Sequence, residues 1–174
     1  MIRGKTRTIL RVAALLLSSS VALAGGAEHD LQWLSFDKGL AEAQKSDKKI
    51  LVDVYTDWCG WCKRMDRDVY ANDKVASYLM QQYVLVKVNA ESSEELHYKG
   101  KTYSEMGLAQ GFKVTGYPTI LFLDPNGNHI TSLPGYVKAD EFLGIVKFIG
   151  EDYYKTMKWE EYLENQKSQG KSQE

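Results

Sequence analysis

The stretch Ile50-Leu51-Val52-Asp53-Val54-Tyr55, running directly into Thr56-Asp57-Trp58-Cys59-Gly60-Trp61-Cys62-Lys63, decides how the rest of the chain is read. Ile50 to Tyr55 is apolar at every position except Asp53, the pattern of a strand covered on both faces. Cys59 and Cys62 are the chain's 2 cysteines. Their spacing brings them to one face at the start of a helix, where the sulfurs can meet. At a helix N-terminus, unpaired backbone N–H groups and the helix dipole point at the first sulfur and favour its thiolate. Lys63 adds a nearby positive charge, so Cys59 is the better nucleophile. Cys62, one turn on, shares an apolar stripe with Met65 and Val69 and reads as a covered resolving thiol. The chemistry indicated is exchange between thiols and disulfides.

Three other uses of such a pair fit the sequence less well. A purely structural staple is disfavoured because a loop of about four residues constrains the unfolded chain least. A zinc site needs about four ligands, and His29, His97 and His129 are scattered singly, each reading as a solvated surface histidine. Covalent haem attachment requires histidine after the second cysteine, where this chain has Lys63. No cofactor or metal is implied.

Asp53 is the exception inside its strand, and a buried charge is costly unless neutralised or paired. One reading is a strand-end aspartate that reaches water or caps the next turn. The other, adopted here, is proton transfer: a desolvated carboxyl could take a proton from Cys62 when that thiol attacks. Perturbed carboxyls beside a nucleophile are the expected arrangement.

The chain has 174 residues and a formal net charge of −1, which suits one compact domain with short extras and supplies no field to attract nucleic acid. Arg3, Lys5, Arg7 and Arg11 precede the apolar run Val12 to Ala24, which ends in Ala22-Leu23-Ala24. Residues 1–24 therefore read as a secretory signal peptide, with the mature protein exported to the periplasm or a similar compartment and not inserted in the membrane. Thiols there are oxidised unless a partner reduces them.

Residues 25–150 read as one domain. Leu31 to Phe36 is a strand candidate; Asp37 to Lys45 a helix with Leu40, Ala41 and Ala43 inward; Cys59 to Ala71 and Lys74 to Gln82 helical segments. Tyr83 to Asn89 alternates as a strand with Val84, Val86 and Val88 on one side. Ala90 to Gly100 is a polar connector, and Thr102 to Glu105 reads as a capping box opening a short helix to about Gln110. Ile120 to Leu123 and His129 to Leu133 form a hairpin around Asp124-Pro125-Asn126-Gly127-Asn128. A helix follows from Asp140 to Gly150. Residues 151–164 read as a C-terminal helical extension whose aromatics pack back on the domain, and residues 165–174 as a disordered tail.

With these elements in place, the chain resembles the thioredoxin-like superfamily over about Leu31 to Gly150, in particular its exported, periplasmic thioredoxin-related members with a WCGWCK site. Several motifs match in register: Val52-Asp53 ahead of the nucleophile, Trp58-Cys59-Gly60-x-Cys62-Lys63, Lys87 in the next strand, Gly116-x-Pro118-Thr119, and Gly135 after the hairpin. The resemblance implies an α/β thioredoxin fold, a central mixed sheet flanked by helices, with an added C-terminal helix. It implies that Cys59 attacks and Cys62 resolves, forming a redox-active disulfide. It makes Asp53 the buried acid and Lys87 the lysine that pairs near it across the sheet. Pro118 becomes a cis-proline whose predecessor, Tyr117, pairs with an extended substrate segment. Trp58 and Trp61 would flank the cysteines as an apolar contact surface. Gly60-Trp61 stands between the cysteines where ordinary thioredoxin has Gly-Pro, and Tyr55 where it usually has tryptophan.

The expected activity is reduction of disulfides in client proteins, with recharging by a membrane thiol–disulfide reductant carrier and a monomeric state. An oxidase or isomerase of the same fold is the alternative within this chemistry. A redox-silent client-binding module, or a metal- or haem-maturation module, is the alternative outside it.

Overall fold

A computed structural model describes Met1 and residues 30–171. Apart from Met1, the expected signal peptide lies outside the described residues. The first half of the domain contains β1 (Trp33–Leu34), α1 (Phe36–Ser46), β2 (Lys49–Tyr55), α2 (Gly60–Met65), a π-helical turn (Asp66–Tyr70), α3 (Asp73–Gln82) and β3 (Tyr83–Asn89). The second contains β4 (Glu95–Tyr98), β5 (Lys101–Ser104), α4 (Glu105–Gly111), β6 (Thr119–Leu123), β7 (His129–Pro134) and α5 (Ala139–Gly150). A 3₁₀ turn (Tyr153–Lys155) and α6 (Trp159–Lys171) follow.

Five strands form one mixed sheet in the order β1-β3-β2-β6-β7. The apolar run that reads as a doubly covered strand is its centre: β2 pairs parallel with β3 and antiparallel with β6. Alternation along the strands divides the core. Ile50, Val52 and Val54, with Val84, Val86, Val88, Leu121 and Leu123, pack on Phe36 and Ala43 of α1 and Leu108 of α4. Leu51, Leu85, Ile120 and Phe122 face the opposite side, against Met65, Val69, Leu79, Phe142 and Val146. Burying a ring such as Phe122 or Phe142 contributes about 1.5–3 kcal/mol. The same period of two that sends Leu51 and Leu85 to the second face sends Asp53 and Lys87 there as well.

The structure departs from the sequence reading at several elements: β1 is confined to Trp33–Leu34 with Phe36 already in α1, and the helix expected from Cys59 to Ala71 is α2 followed by the π turn. On α1 the buried positions are Phe36, Gly39 and Ala43, while Ala41 is exposed, because the helical stripe runs at three- and four-residue steps from Phe36. Residues 95–104 form a two-stranded hairpin, β4 with β5, in place of a connector and a cap at Thr102. Thr102 is a strand residue, and Ser104 caps α4 by accepting the Gly107 N–H at 3.0 Å. The expected helix from 151 to 164 is broken: Asp152 adopts φ 64°, and only after the 3₁₀ turn does α6 begin. Helix α6 then runs through Lys171, across most of the expected disordered tail; residues 172–174 lie outside the described residues. Tyr162 anchors it by packing on Phe148 and Trp159. Beyond such an anchor, glutamine and lysine propagate a helix at little cost, since nucleation is already met.

Candidate active site

The disulfide sits where the central strand ends. After Tyr55 the chain turns tightly, the Cys59 N–H donating to the Thr56 carbonyl at 3.1 Å. Cys59 has extended backbone angles and is the N-cap of α2, its Sγ accepting the Cys62 N–H at 3.0 Å. Cys59 and Cys62 are joined as a disulfide with Cα atoms 5.3 Å apart. The donor aimed at Cys59 Sγ is of the kind that stabilises a thiolate there once the bond is opened. Sequence reasoning expected cover over Cys62 alone; in the disulfide form both cysteines are buried, at 4% and 3% exposure.

Behind the disulfide lies a charged chamber. Asp53 and Lys87 are register partners across β2 and β3. Lys87 Nζ stands 3.3 Å from Asp53 Oδ2 and 2.6 Å from Asp66 Oδ1. It also lies over the rings of Trp33, Tyr55 and Tyr70, at 4.9, 5.2 and 6.0 Å from their centroids. Asp53 is fully buried, and neither of its carboxylate oxygens accepts a hydrogen bond among the described residues. Burial pushes its pKa up to about 6; Lys87 pulls it down and Asp66 adds to the rise. Burial lowers the Lys87 pKa, but Asp53 and Asp66 outweigh it and hold the ammonium above its ordinary value. A cavity of about 180 Å³, lined by Tyr55, Thr56, Asp57, Cys62, Lys63, Asp66 and Lys87, connects this chamber with the resolving cysteine.

The outer surface carries two exposed tryptophans, each paired with a tyrosine. Trp58, 66% exposed, meets Tyr117 edge-on at 6.1 Å and donates its indole N–H to both Glu91 oxygens at 3.0 Å. Trp61, 54% exposed, pairs with Tyr136 at 5.4 Å, and the Arg64 guanidinium lies 5.3 Å from both ring centres. The Tyr117–Pro118 bond is cis. Pro118 directly precedes Thr119, which pairs with Val54 at the end of β2, so the prolyl turn shares the sheet end from which the disulfide turn departs.

The family profile described as "Thioredoxin-like domain" matches residues 36–150. The chain belongs to the thioredoxin-like family. It carries the CxxC disulfide of that family's thiol–disulfide oxidoreductases. It is 35% identical over 104 residues to the thiol:disulfide interchange protein DsbD of Yersinia pestis, a match covering 58% of this chain and 16% of that protein. This thioredoxin-like chain thus spans about a sixth of the length of such relatives. A thioredoxin-fold protein from Helicobacter pylori superposes with a TM-score of 0.61 at 29% identity, over 70% of this chain and 80% of that one. A thioredoxin from Thermus thermophilus shares the fold, with a TM-score of 0.56 at 24% identity, over 68% and 86% of the two chains.

Four residues of the thioredoxin-like site were absent from the sequence reading: Asp66, Arg64, Tyr136 and Glu91. Arg64 and Asp66 carried a usable signal: Arg64 is three residues from Trp61 on α2, and Asp66 is four residues from Cys62, just past the end of that helix. Tyr136 and Glu91 come from the segments after β7 and after β3, and only the tertiary structure brings them to the tryptophans.

Proposed function

We propose that this chain is an exported thiol–disulfide reductase that opens disulfides in client proteins. The observation that carries the reading is Asp53: a buried carboxyl, without a hydrogen bond among the described residues, on the sheet face that backs α2 and its resolving cysteine. A carboxyl with pKa near 6 is a better acceptor for a thiol proton than an ordinary aspartate.

In the reduced protein, Cys59 thiolate attacks one sulfur of the client disulfide. A mixed disulfide forms and the client's other sulfur leaves as thiolate. The client segment lies against Tyr117-Pro118, flanked by the Trp58 and Trp61 patches. Cys62 then gives its proton to Asp53, and its thiolate attacks Cys59 Sγ. The mixed disulfide breaks, the second client thiolate is released and protonated, and two electrons have passed to the client. Lys87 balances the charge that Asp53 carries before it accepts the proton. Recharging requires a dithiol donor that returns two electrons, a role suited to a membrane reductant carrier. The export reading rests on the basic and apolar pattern of residues 1–24.

The test is the equilibrium reduction potential of the Cys59–Cys62 pair against glutathione or dithiothreitol buffers. A value near about −270 mV, the thioredoxin range, supports the reductase, whereas about −120 mV, the range of DsbA, identifies an oxidant.

A further inference from the structure

In the proposed exchange Asp53 is the base and Asp66 has no part. Lys87 divides its ammonium between two carboxylates and lies nearer the outer one. Its contact with Asp66 is a hydrogen bond of 2.6 Å; its contact with Asp53, at 3.3 Å, is an ion pair outside hydrogen-bond geometry. The two acids also differ in surroundings: the Asp53 side chain is sealed at 1% exposure, whereas that of Asp66 is 46% exposed and lines the cavity shared with Cys62.

The backbone explains how Asp66 comes to be there. It is the first residue of the π-helical turn, in which the Ala71 N–H reaches back five residues to the Asp66 carbonyl at 3.1 Å. Such wide turns rotate the side chains around them relative to a regular helix and recur at functional sites. Asp66 itself is in regular helical register, its N–H donating to the Cys62 carbonyl one turn back; the wide turn that follows buries Tyr70 beside the same chamber, where its ring lies under the ammonium.

We propose that Asp66 is a positioning residue for the exchange: it holds the Lys87 ammonium toward the outside of the chamber, so that Asp53 remains a competent proton acceptor for Cys62. This rests on Asp53 acting as the base. A cation fully committed to Asp53 would lower its proton affinity by about ten- to a thousandfold. Asp66 limits that commitment by competing for the ammonium and opposes it further with its own negative charge.

The charged and titratable groups around Asp53 allow this assignment. Lys87 faces it from β3, Asp66 and Tyr70 from the π turn, Tyr55 from its own strand, and Cys62 lies across the cavity on α2. Its register partner on β6 is the apolar Ile120, and Trp33 of β1 contributes a neutral ring over Lys87. Among the described residues Lys87 is the cation acting on Asp53, while Lys63 and Asp57 line the cavity shared with Cys62; the placement of Lys87 controls that carboxyl.

The experiment is a carbon-13 NMR titration of the Asp53 carboxyl in the oxidised protein, for the native chain, Asp66→Asn and Asp66→Glu. The rate at which the mixed disulfide resolves is measured as a function of pH for the same proteins and for Asp53→Asn. With Asp66→Asn, the proton affinity of Asp53 is expected to fall at least about tenfold, with the pH step in resolution moving by the same factor. Asp66→Glu restores both, which a merely structural role would not require. An Asp53 midpoint that moves less than twofold in Asp66→Asn, or no rescue by Asp66→Glu, overturns the proposal. If Asp53→Asn leaves the resolution profile unchanged, the base reading itself falls, and the carboxyl titration shows separately whether Asp66 controls Asp53.

Discussion

Gly135 donates its backbone N–H to the Pro118 carbonyl at 2.8 Å, tying the exit of β7 to the cis-prolyl turn. The residue after this glycine, Tyr136, stands beside Trp61 as a consequence, and Arg64 covers both rings. A client held along Tyr117-Pro118 would meet this platform on one flank. Tyr136→Ala removes a ring contact and a cation–π seat worth about 1 kcal/mol together, so KM for a disulfide client should rise roughly fivefold. Steady-state kinetics showing a fall in kcat with KM unchanged would count against a binding role, as would a changed reduction potential.

The raised pKa of Asp53 has a direct effect on stability. The folded protein holds that proton more tightly than the unfolded chain, with a pKa of about 6 against 3.8. Its stability should therefore decline as pH rises from about 4 to above 6, by about 3 kcal/mol from this group. Asp53→Asn removes the ionisation and should be the more stable protein at pH 7 and above, the two curves converging near pH 4. Denaturant unfolding across this range tests it; a native protein that gains stability relative to the variant with rising pH contradicts the assignment.

Much of this was legible in the chain because the deciding signals were local. A nearly unbroken apolar run marks β2, the cysteine spacing marks the start of α2, and the sequence around Asp124 to Asn128 marks the β6–β7 hairpin. The β4–β5 hairpin was missed because its strands lie in a polar segment without clean alternation, and its anchors are distant: Asp37 accepts the His97 N–H at 2.7 Å, and the Tyr98 hydroxyl donates to the Gly127 carbonyl at 2.8 Å. Asp53 stood out as a charge in an apolar strand. Asp66 did not, since an aspartate on a helix with other charges reads as a solvated face until the π turn and Lys87 are seen.

The two cysteines should separate cleanly when replaced. Cys62→Ser removes the resolving thiol and leaves Cys59 with its donor from residue 62, so a client disulfide should be captured as a stable mixed disulfide. Mass spectrometry would show the adduct, and it should disappear on reduction. Cys59→Ser should capture little, because Cys62 lies inside α2 and lacks the N-cap position at which Cys59 Sγ accepts a backbone N–H. Equal trapping by both variants would show that the assigned order of attack is wrong.

Gly39 is required by packing, independent of the chemistry. A methyl group at this position on α1 would run into Val86 Cγ2 of β3, a stiff β-branched side chain that is fully buried. Gly39→Ala gains up to about 1 kcal/mol in helix propensity but overpacks a dense layer at a cost of about 1–3 kcal/mol. A lower denaturation midpoint with unchanged slope is expected, and an unchanged or higher midpoint would show that the layer has slack.

Because β2 sends Leu51 into one core and Ile50, Val52 and Val54 into the other, neither core can melt while that strand stays in register. The strand acts as the shared keel of one cooperative unit, and its amide protons should be among the last to exchange with solvent. The disulfide turn is fastened to its end. The protein therefore presents its reactive sulfurs from its least yielding part, and any adaptation that clients of the proposed reductase would require falls to the tryptophans and to the clients themselves.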